Sequence, residues 1–320
     1  MKKIVLLLIV IALPLCAQEF GQVGTSGAQL FKINFDPRAS ALGYAAASVV
    51  DNASAVYTNV AGLERISTTD LAFAYVPWFA DIRMMSVAAA YRLSNIGVVG
   101  LQATGFSAEE EVTTVEQENG TGQMYSIKNY VFGLSFARLI TDRLAIGLQA
   151  KYIYESYYDH STGGFGFDIG SNYDLGFSRA RLALALQNFG PDLDPLSGNY
   201  LDYSDSNVEK AFSRVPLPVT FRASFTIEPI VSEKYRFRLI ADLVHPNDNT
   251  EHYNVGGELE LMEIVALRGG LKLNYDDETF AAGIGLKGEK LLGQNIRIDY
   301  SYEKFTILPS VHKVAVGFGF

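Results

Sequence analysis

Four histidines, His160, His245, His252 and His312, are the side chains best suited to metal binding or proton transfer. No pair of them stands at a ligand spacing such as HxxxH or has a cysteine partner. His245, Asp248 and His252 share one loop between predicted strands, where polar residues are common. A denser run, Asp192, Asp194, Asn199, Asp202 and Asp205, invites a calcium reading. It fails the EF-hand order, because Leu196 and Ser197 stand where a ligand and a glycine are needed and no glutamate closes the loop; a solvated acidic loop is expected. No glycine-rich phosphate loop precedes a helix, and no Ser, His and Asp set stands in a nucleophile context. The chain is expected to hold no metal or cofactor and to catalyse no reaction.

What polar chemistry remains is electrostatic. Arg222, Arg236, Arg238, Asp242, Glu258, Arg268, Arg297 and Asp299, with Glu228, Glu260, Lys272 and Glu303, all sit opposite apolar neighbours at a period of two. Over 219–228, Val219, Phe221, Ala223, Phe225 and Ile227 face one way, and Thr220, Arg222, Ser224, Thr226 and Glu228 face the other. One face suits oil. The other suits a lumen filled with water or paired charge, since a dry core holds so many charges only at great cost.

The same rhythm marks 71–77, 84–93, 97–107, 125–139, 144–154, 164–175 and 181–189, then 219–228, 235–244, 253–261, 265–275, 280–287, 296–303 and 311–320. These fourteen segments are an even number, as a barrel with both ends in the periplasm requires. The inward-side connections, such as 94–95, 141–143 and 262–263, are short, while the two longest, 108–124 and 190–215, fall on the outer side. Within the second, Leu193, Leu196, Tyr200 and Tyr203 are candidate apolar contacts for a partner. In hydrocarbon every backbone donor and acceptor must be paired, which a sheet achieves only as a closed ring. In the last segment, Val314, Val316, Phe318 and Phe320 form the apolar side; an alternating strand that ends on an aromatic residue resembles the signal by which outer-membrane barrels are recognised for assembly.

The N-terminus fits export. Lys2 and Lys3, an apolar run from Ile4 to Leu13, Pro14 and the small Ala17 have the layout of a signal peptide, too short to span a bilayer. Cleavage after Ala17 would remove the single cysteine, Cys16, so the mature chain is expected to hold together without disulfides. Without Lys2 and Lys3, 24 basic residues face 35 acidic ones, a mature net charge of −11 that excludes nucleic acid as a partner. Between leader and strands, 18–65 lacks a strand rhythm and is rich in alanine and glycine, suited to fold compactly inside something. The expected architecture is all-β: a signal peptide (1–17), an N-terminal helical or irregular plug or hatch segment (18–65), and a closed antiparallel transmembrane β-barrel of about 14 strands (66–320) in a bacterial outer membrane.

Several separated motifs carry a resemblance. Arg38-Ala39-Ser40-Ala41-Leu42-Gly43, Asp51 to Tyr57, and Asn59-Val60-Ala61-Gly62-Leu63 resemble the N-terminal signature of the PorV/PorQ family of outer-membrane proteins, relatives of the FadL-type fatty-acid channels. Val60 stands where those relatives carry proline, which removes a fixed φ angle. Further matches are 185–191, 217–222, 254–258 and 312–320. The resemblance implies a plug motif at Arg38, Gly43, Asp51, Asn59, Ala61 and Gly62. It also implies outer-membrane lipid and the barrel-assembly machinery as partners, and a component of the type IX secretion system that binds or shuttles exported cargo or partner proteins. The alternative it leaves is a FadL-like channel for hydrophobic small molecules, with 51–63 as a movable hatch.

Overall fold

The computed structural model describes residues 23–320 except Asp81, Val115, Asn119 and 203–207; the predicted leader, Cys16 and Tyr203 lie outside the described residues. Alternation becomes a ring of strands: β1 (Thr69–Pro77), β2 (Arg83–Leu93), β3 (Gly97–Glu111), β4 (Met124–Thr141), β5 (Leu144–Tyr157), β6 (His160–Asp174) and β7 (Arg181–Phe189). After a long connection follow β10 (Thr220–Val231), β11 (Tyr235–Pro246), β12 (His252–Leu261), β13 (Val265–Leu273), β14 (Glu278–Lys287), β15 (Asn295–Phe305) and β16 (Val311–Gly319). Every neighbour is antiparallel, and β1 closes on β16 from Asp70↔Gly319 to Tyr75↔Val314, leaving the barrel no edge. The connection from β7 to β10 holds a small hairpin of its own, β8 (Asn199–Asp202) with β9 (Val208–Ala211), where sequence periodicity predicts only loop.

The lipid side is apolar and exposed, with Leu101, Phe132, Leu148, Phe225, Leu239 and Val314 among its residues. On β16 the inward positions are Val311, Lys313 and Ala315, and Phe318 meets Phe73 of β1 edge-on at 6.5 Å. The rim that carries Thr69 and Phe320 also carries the short turns, so it is periplasmic; β3 and β4 run on past the opposite, outer rim. A closed barrel with this outer band is the architecture of bacterial outer-membrane proteins, and that membrane is where the chain resides.

Inside the ring sits the N-terminal segment. It enters from the outer mouth at Gly24 and carries a 3₁₀ turn (Gln29–Lys32). It then forms α1 (Pro37–Ala41) and two more 3₁₀ turns (Ala53–Tyr57 and Val60–Arg65), and leaves at the periplasmic rim. The wall that surrounds it is built from small inward residues. Ala72, Ala88, Ala90 and Ala137 pack on Leu42, Val49, Val56 and Leu63 of the segment in one buried apolar cluster. Where the backbones approach most closely the wall has no side chain: a Cβ at Gly270 would overlap the Leu42 carbonyl carbon and the Gly43 nitrogen, and one at Gly147 would lie 2.5 Å from Ala61 N. Gly270→Val should therefore unseat the plug while sparing the ring, a cost of about 1–3 kcal/mol for overpacking. The expected outcome is normal heat-modifiable gel migration with new tryptic cleavage at Arg38 or Arg65; unchanged protection would refute the tight seat.

Candidate functional site

Arg38, in the first turn of α1, is the centre of the plug's attachment. Asp36 caps that helix by accepting from Arg38 N at 3.0 Å, and Pro37 supplies a first-turn residue with no N–H to satisfy. The guanidinium is buried and forks onto Glu258 of β12, with Nε to Oε2 at 2.9 Å and Nη2 to Oε1 at 3.0 Å, while Nη1 reaches Asp51 at 2.7 Å. Glu258 is also gripped by Arg238 of β11 and by Arg268 of β13, the latter at 2.7 Å, and Arg268 continues to Asp299 of β15 at 2.5 Å. Arg38, Asp51, Arg238, Glu258, Arg268 and Asp299, far apart in sequence, thus form one network joining plug to wall.

Other predicted lumen charges hold the plug at separate points. Arg222 donates to Tyr44 O at 2.9 Å and lies 3.4 Å from Asp242, whose carboxylate in turn accepts from Ala46 N. Arg297 pairs at 2.7 Å with Asp70, which accepts from Ala53 N at 2.8 Å. Arg236 stays on the wall, 3.8 Å from Glu228. Gly43 (φ +64°) makes the turn after α1, close enough to β13 that a Cβ would lie 3.0 Å from Leu271 N. Gly62 packs under Val50 O, where a side chain has no room. Asn59 accepts from Ala61 N at 3.2 Å and donates to Ala47 O at 2.9 Å, so hydrogen bonds fix the turn at Val60 where proline is missing. Three further contacts are absent from the sequence-based site: Lys313, fully buried and donating to Asn34 O, Ser40 Oγ and Tyr44 Oη at 2.9 Å; Ser48 Oγ, 2.7 Å from Ser224 Oγ; and Asp70. Lys313 was legible as the one charge on the inward side of the terminal strand.

At the outer mouth the structure corrects one assignment. Leu193 is buried, not offered to a partner: its N–H donates to Val215 O at 2.8 Å, and its side chain fills the space over Gly27 and Gly164, where Cβ atoms would lie 2.8 and 2.5 Å from it. A leucine beside side-chain-free backbone buries more apolar area there than in water. Leu196 is half-buried and Tyr200 exposed. Asp248 does not join His245 and His252. It accepts from Ser26 and Lys32 of the N-terminal arm, while His245 meets Glu251 at 3.1 Å and His252 stacks on Tyr275 at 4.0 Å. Asp194 lies 3.5 Å from Arg214, and Asp205 is outside the described residues.

Between plug and wall, against β3, β4 and β5, lies a cavity of about 20 Å³, room for one water. Phe31, Phe35, Val56 and Val131 form its apolar side; Tyr57, Gln102, Thr104 and Lys151 form its polar side. On the lipid side of the wall, from β2 to β6, is a groove of about 520 Å³, edged by Leu101, Phe132, Leu134, Tyr152 and Phe165 and floored by Ala89, Ala103 and Ala150. Gln102 and Lys151 line both spaces, and Gly133 lies between those two residues on the middle strand.

No protein-family model matches the chain, and no curated protein matches it. Solved structures do. The CymD monoaromatic hydrocarbon channel is similar at 12% identity with a TM-score of 0.61, over 90% of this chain and 98% of that one. A Pseudomonas aeruginosa FadL homologue is similar at 10% identity and a TM-score of 0.57, over 89% and 98%. The Pseudomonas putida toluene transporter TodX is similar at 10% identity and a TM-score of 0.57, over 90% and 99%. At such identities the likeness shows the fold alone, a closed antiparallel β-barrel.

Two outcomes follow from the attachment. Glu258→Gln leaves three buried arginines short of a carboxylate and should destabilise the protein by about 3–5 kcal/mol, read from its urea midpoint in detergent; a loss below ~1 kcal/mol would show that the network is not what seats the plug. Burial pushes the Asp248 carboxyl up, but hydrogen bonds from Lys32 and Ser26 outweigh it and hold the group below its ordinary 3.8. A depressed carboxylate stabilises above its unfolded pKa and is lost as pH falls through the folded one. The arm should hence stay protease-resistant at pH 5 and loosen only below pH 3.8; release at pH 5 would contradict the contact.

Proposed function

We propose that the chain is a gated, non-enzymatic conduit of FadL type for hydrophobic small molecules across the outer membrane. One observation carries the reading: the cavity under the plug and the apolar groove facing lipid meet at the same wall residues, Gln102 and Lys151, across the side-chain-free Gly133. A solute released from beneath the plug has the shortest way out there, sideways into oil, where an apolar molecule is most stable. The folds it resembles belong to a monoaromatic hydrocarbon channel and a toluene transporter, which supports the same reading. With the plug seated the cavity holds only one water, so passage requires the plug to move as a whole.

A second reading, a type IX secretion component that binds or shuttles exported cargo, rests on the motif resemblance. The two differ in what a fixed plug does. Ser48→Cys with Ser224→Cys places two thiols where hydroxyls stand 2.7 Å apart, close enough for a disulfide, in a chain whose natural cysteine is confined to position 16. Cells expressing the protein should take up labelled toluene faster than cells lacking it. The oxidised cross-link should abolish the gain, and reductant should restore it. Uptake equal to that of cells without the protein would overturn the conduit. Normal uptake under the cross-link would overturn the moving plug, and loss of surface-attached proteins on gene deletion without any uptake change would favour secretion.

A further inference from the structure

We infer that the outward face of β15, β16, β1 and β2 at the outer rim is a seat for the phosphorylated headgroup of an outer-leaflet lipid, held by Lys304, His312 and Arg83.

Strand alternation places these three residues. On β15 the lipid-facing run Ile298, Tyr300 and Tyr302 ends on Lys304; on β16 the run Phe318, Val316 and Val314 ends on His312; on β2 the run Val87 and Met85 ends on Arg83. All three are exposed, while Glu303, Lys313 and Met84, which alternate with them, are buried toward the lumen. His312 lies opposite Tyr302, Val314 opposite Tyr75, and Pro77 opposite Arg83. The three side chains thus follow one another along the rim over three strand spacings, about 14 Å.

Aromatic rings fix the level in the membrane. Tyr302 has the Phe280 ring at 6.1 Å and the His312 ring at 5.5 Å, and its Oη lies 2.9 Å from Ser310 Oγ. Outward rings with polar tips mark where hydrocarbon gives way to headgroups. Lys304, His312 and Arg83 stand at that boundary.

Charge decides the class of ligand. The chain carries a formal net charge of −9, yet these lipid-facing runs end on basic residues. Neither Lys304 nor Arg83 has a carboxylate at ion-pair distance among the described residues. Glu303 points inward to Lys272 and Lys313, and Asp277 of the adjoining loop accepts from Ile307 N at 2.6 Å and Leu308 N at 3.2 Å. Tyr300 Oη lies 2.7 Å from His312 Nδ1, which leaves Nε2 for a ligand. Two such cations and a ring nitrogen at the hydrocarbon edge suit phosphate oxygens.

Apolar exposure decides that the phosphate is carried on a lipid. Ile307 is 85% exposed and Leu308 is exposed beside it, in the loop that follows Lys304, where their backbone bonds to Asp277 hold them. Below the row, Ile298, Val314 and Met85 face the bilayer. An amphiphile covers the cations and these side chains together, whereas a free ion would leave Ile307 and Leu308 in water. The seat requires only that the barrel sit in its membrane, whether or not it conducts.

The test is native mass spectrometry of the intact protein in detergent, titrated with diphosphoryl lipid A, with the dephosphorylated lipid and with inorganic phosphate. Diphosphoryl lipid A should bind saturably. Lys304→Gln/Arg83→Gln should weaken it about tenfold or more, and Lys304→Arg/Arg83→Lys should keep it within about threefold. Lys128→Gln on β4, whose outward face is shared with Glu109 of β3, should change nothing. Heat-modifiable gel migration checks that each variant is folded; should the double glutamine variant fail, Lys304→Gln alone should weaken binding about threefold or more. Equal binding of the dephosphorylated lipid, displacement by inorganic phosphate, an equal loss in Lys128→Gln, or binding untouched by the glutamine variants would each overturn the inference.

Discussion

A charge in a membrane barrel can be placed only in the lumen, and once that lumen is filled with protein the charge needs a partner held in position. This constraint organises the molecule. Glu258 faces inward from β12, on the face opposite Val255 and Leu259, and it is surrounded by arginines from β11, β13 and the plug. Breaking such a set leaves an uncompensated buried charge, which is far more costly than never having formed it. The plug is therefore a structural counter-ion as much as a stopper, and the barrel without it would carry Glu258, Asp242 and Asp70 short of the partners that neutralise or bond them.

The attachment is uneven around the ring. Toward β12, β13 and β14 the plug lies against Gly256, Gly270 and Gly283, with ion pairs and close backbone contact. Toward β3, β4 and β5 its upper part meets a wall of hydroxyls and amides, and there the cavity opens. Polar neutral groups hold a neighbour less firmly than a forked ion pair does, so the upper part of the plug is held less firmly on that side, while below it Ala61 packs directly on Gly147 of β5. On the lipid side the same wall carries small outward residues, Ala89 of β2, Ala103 of β3 and Ala150 of β5, which floor the groove. The proposed sideways conduit and the uneven attachment of the plug rest on one asymmetry.

Much of this was legible in the chain itself. Period-two alternation determined that segments such as 219–228 and 311–320 are strands with one face for oil, and the even count with short turns on one side determined a ring with both ends in the periplasm. The charged faces were visible for the same reason: side-chain direction in a strand is a local property, set by the residue before and after. Arg38, Asp51, Gly43 and Asn59 stood out through their small neighbours and their resemblance to a known motif, though nothing in the sequence said which wall residues they meet.

Only the tertiary structure decided the pairings, because contacts across a barrel join residues separated by hundreds of positions and leave no local periodicity. Glu258 for Arg38, Ser224 for Ser48 and Lys313 for Asn34 are of this kind. Leu193 looked like a surface anchor because an apolar residue in an acidic loop carries no mark of what covers it; Gly27 and Gly164 supply the cover. The cavity is the extreme case, assembled from Phe31, Tyr57, Gln102 and Lys151, which become neighbours only when the ring has closed around the plug. Sequence determined the wall and its two faces, and folding decided what the inner face touches, since alternation is written residue by residue and enclosure belongs to the whole chain.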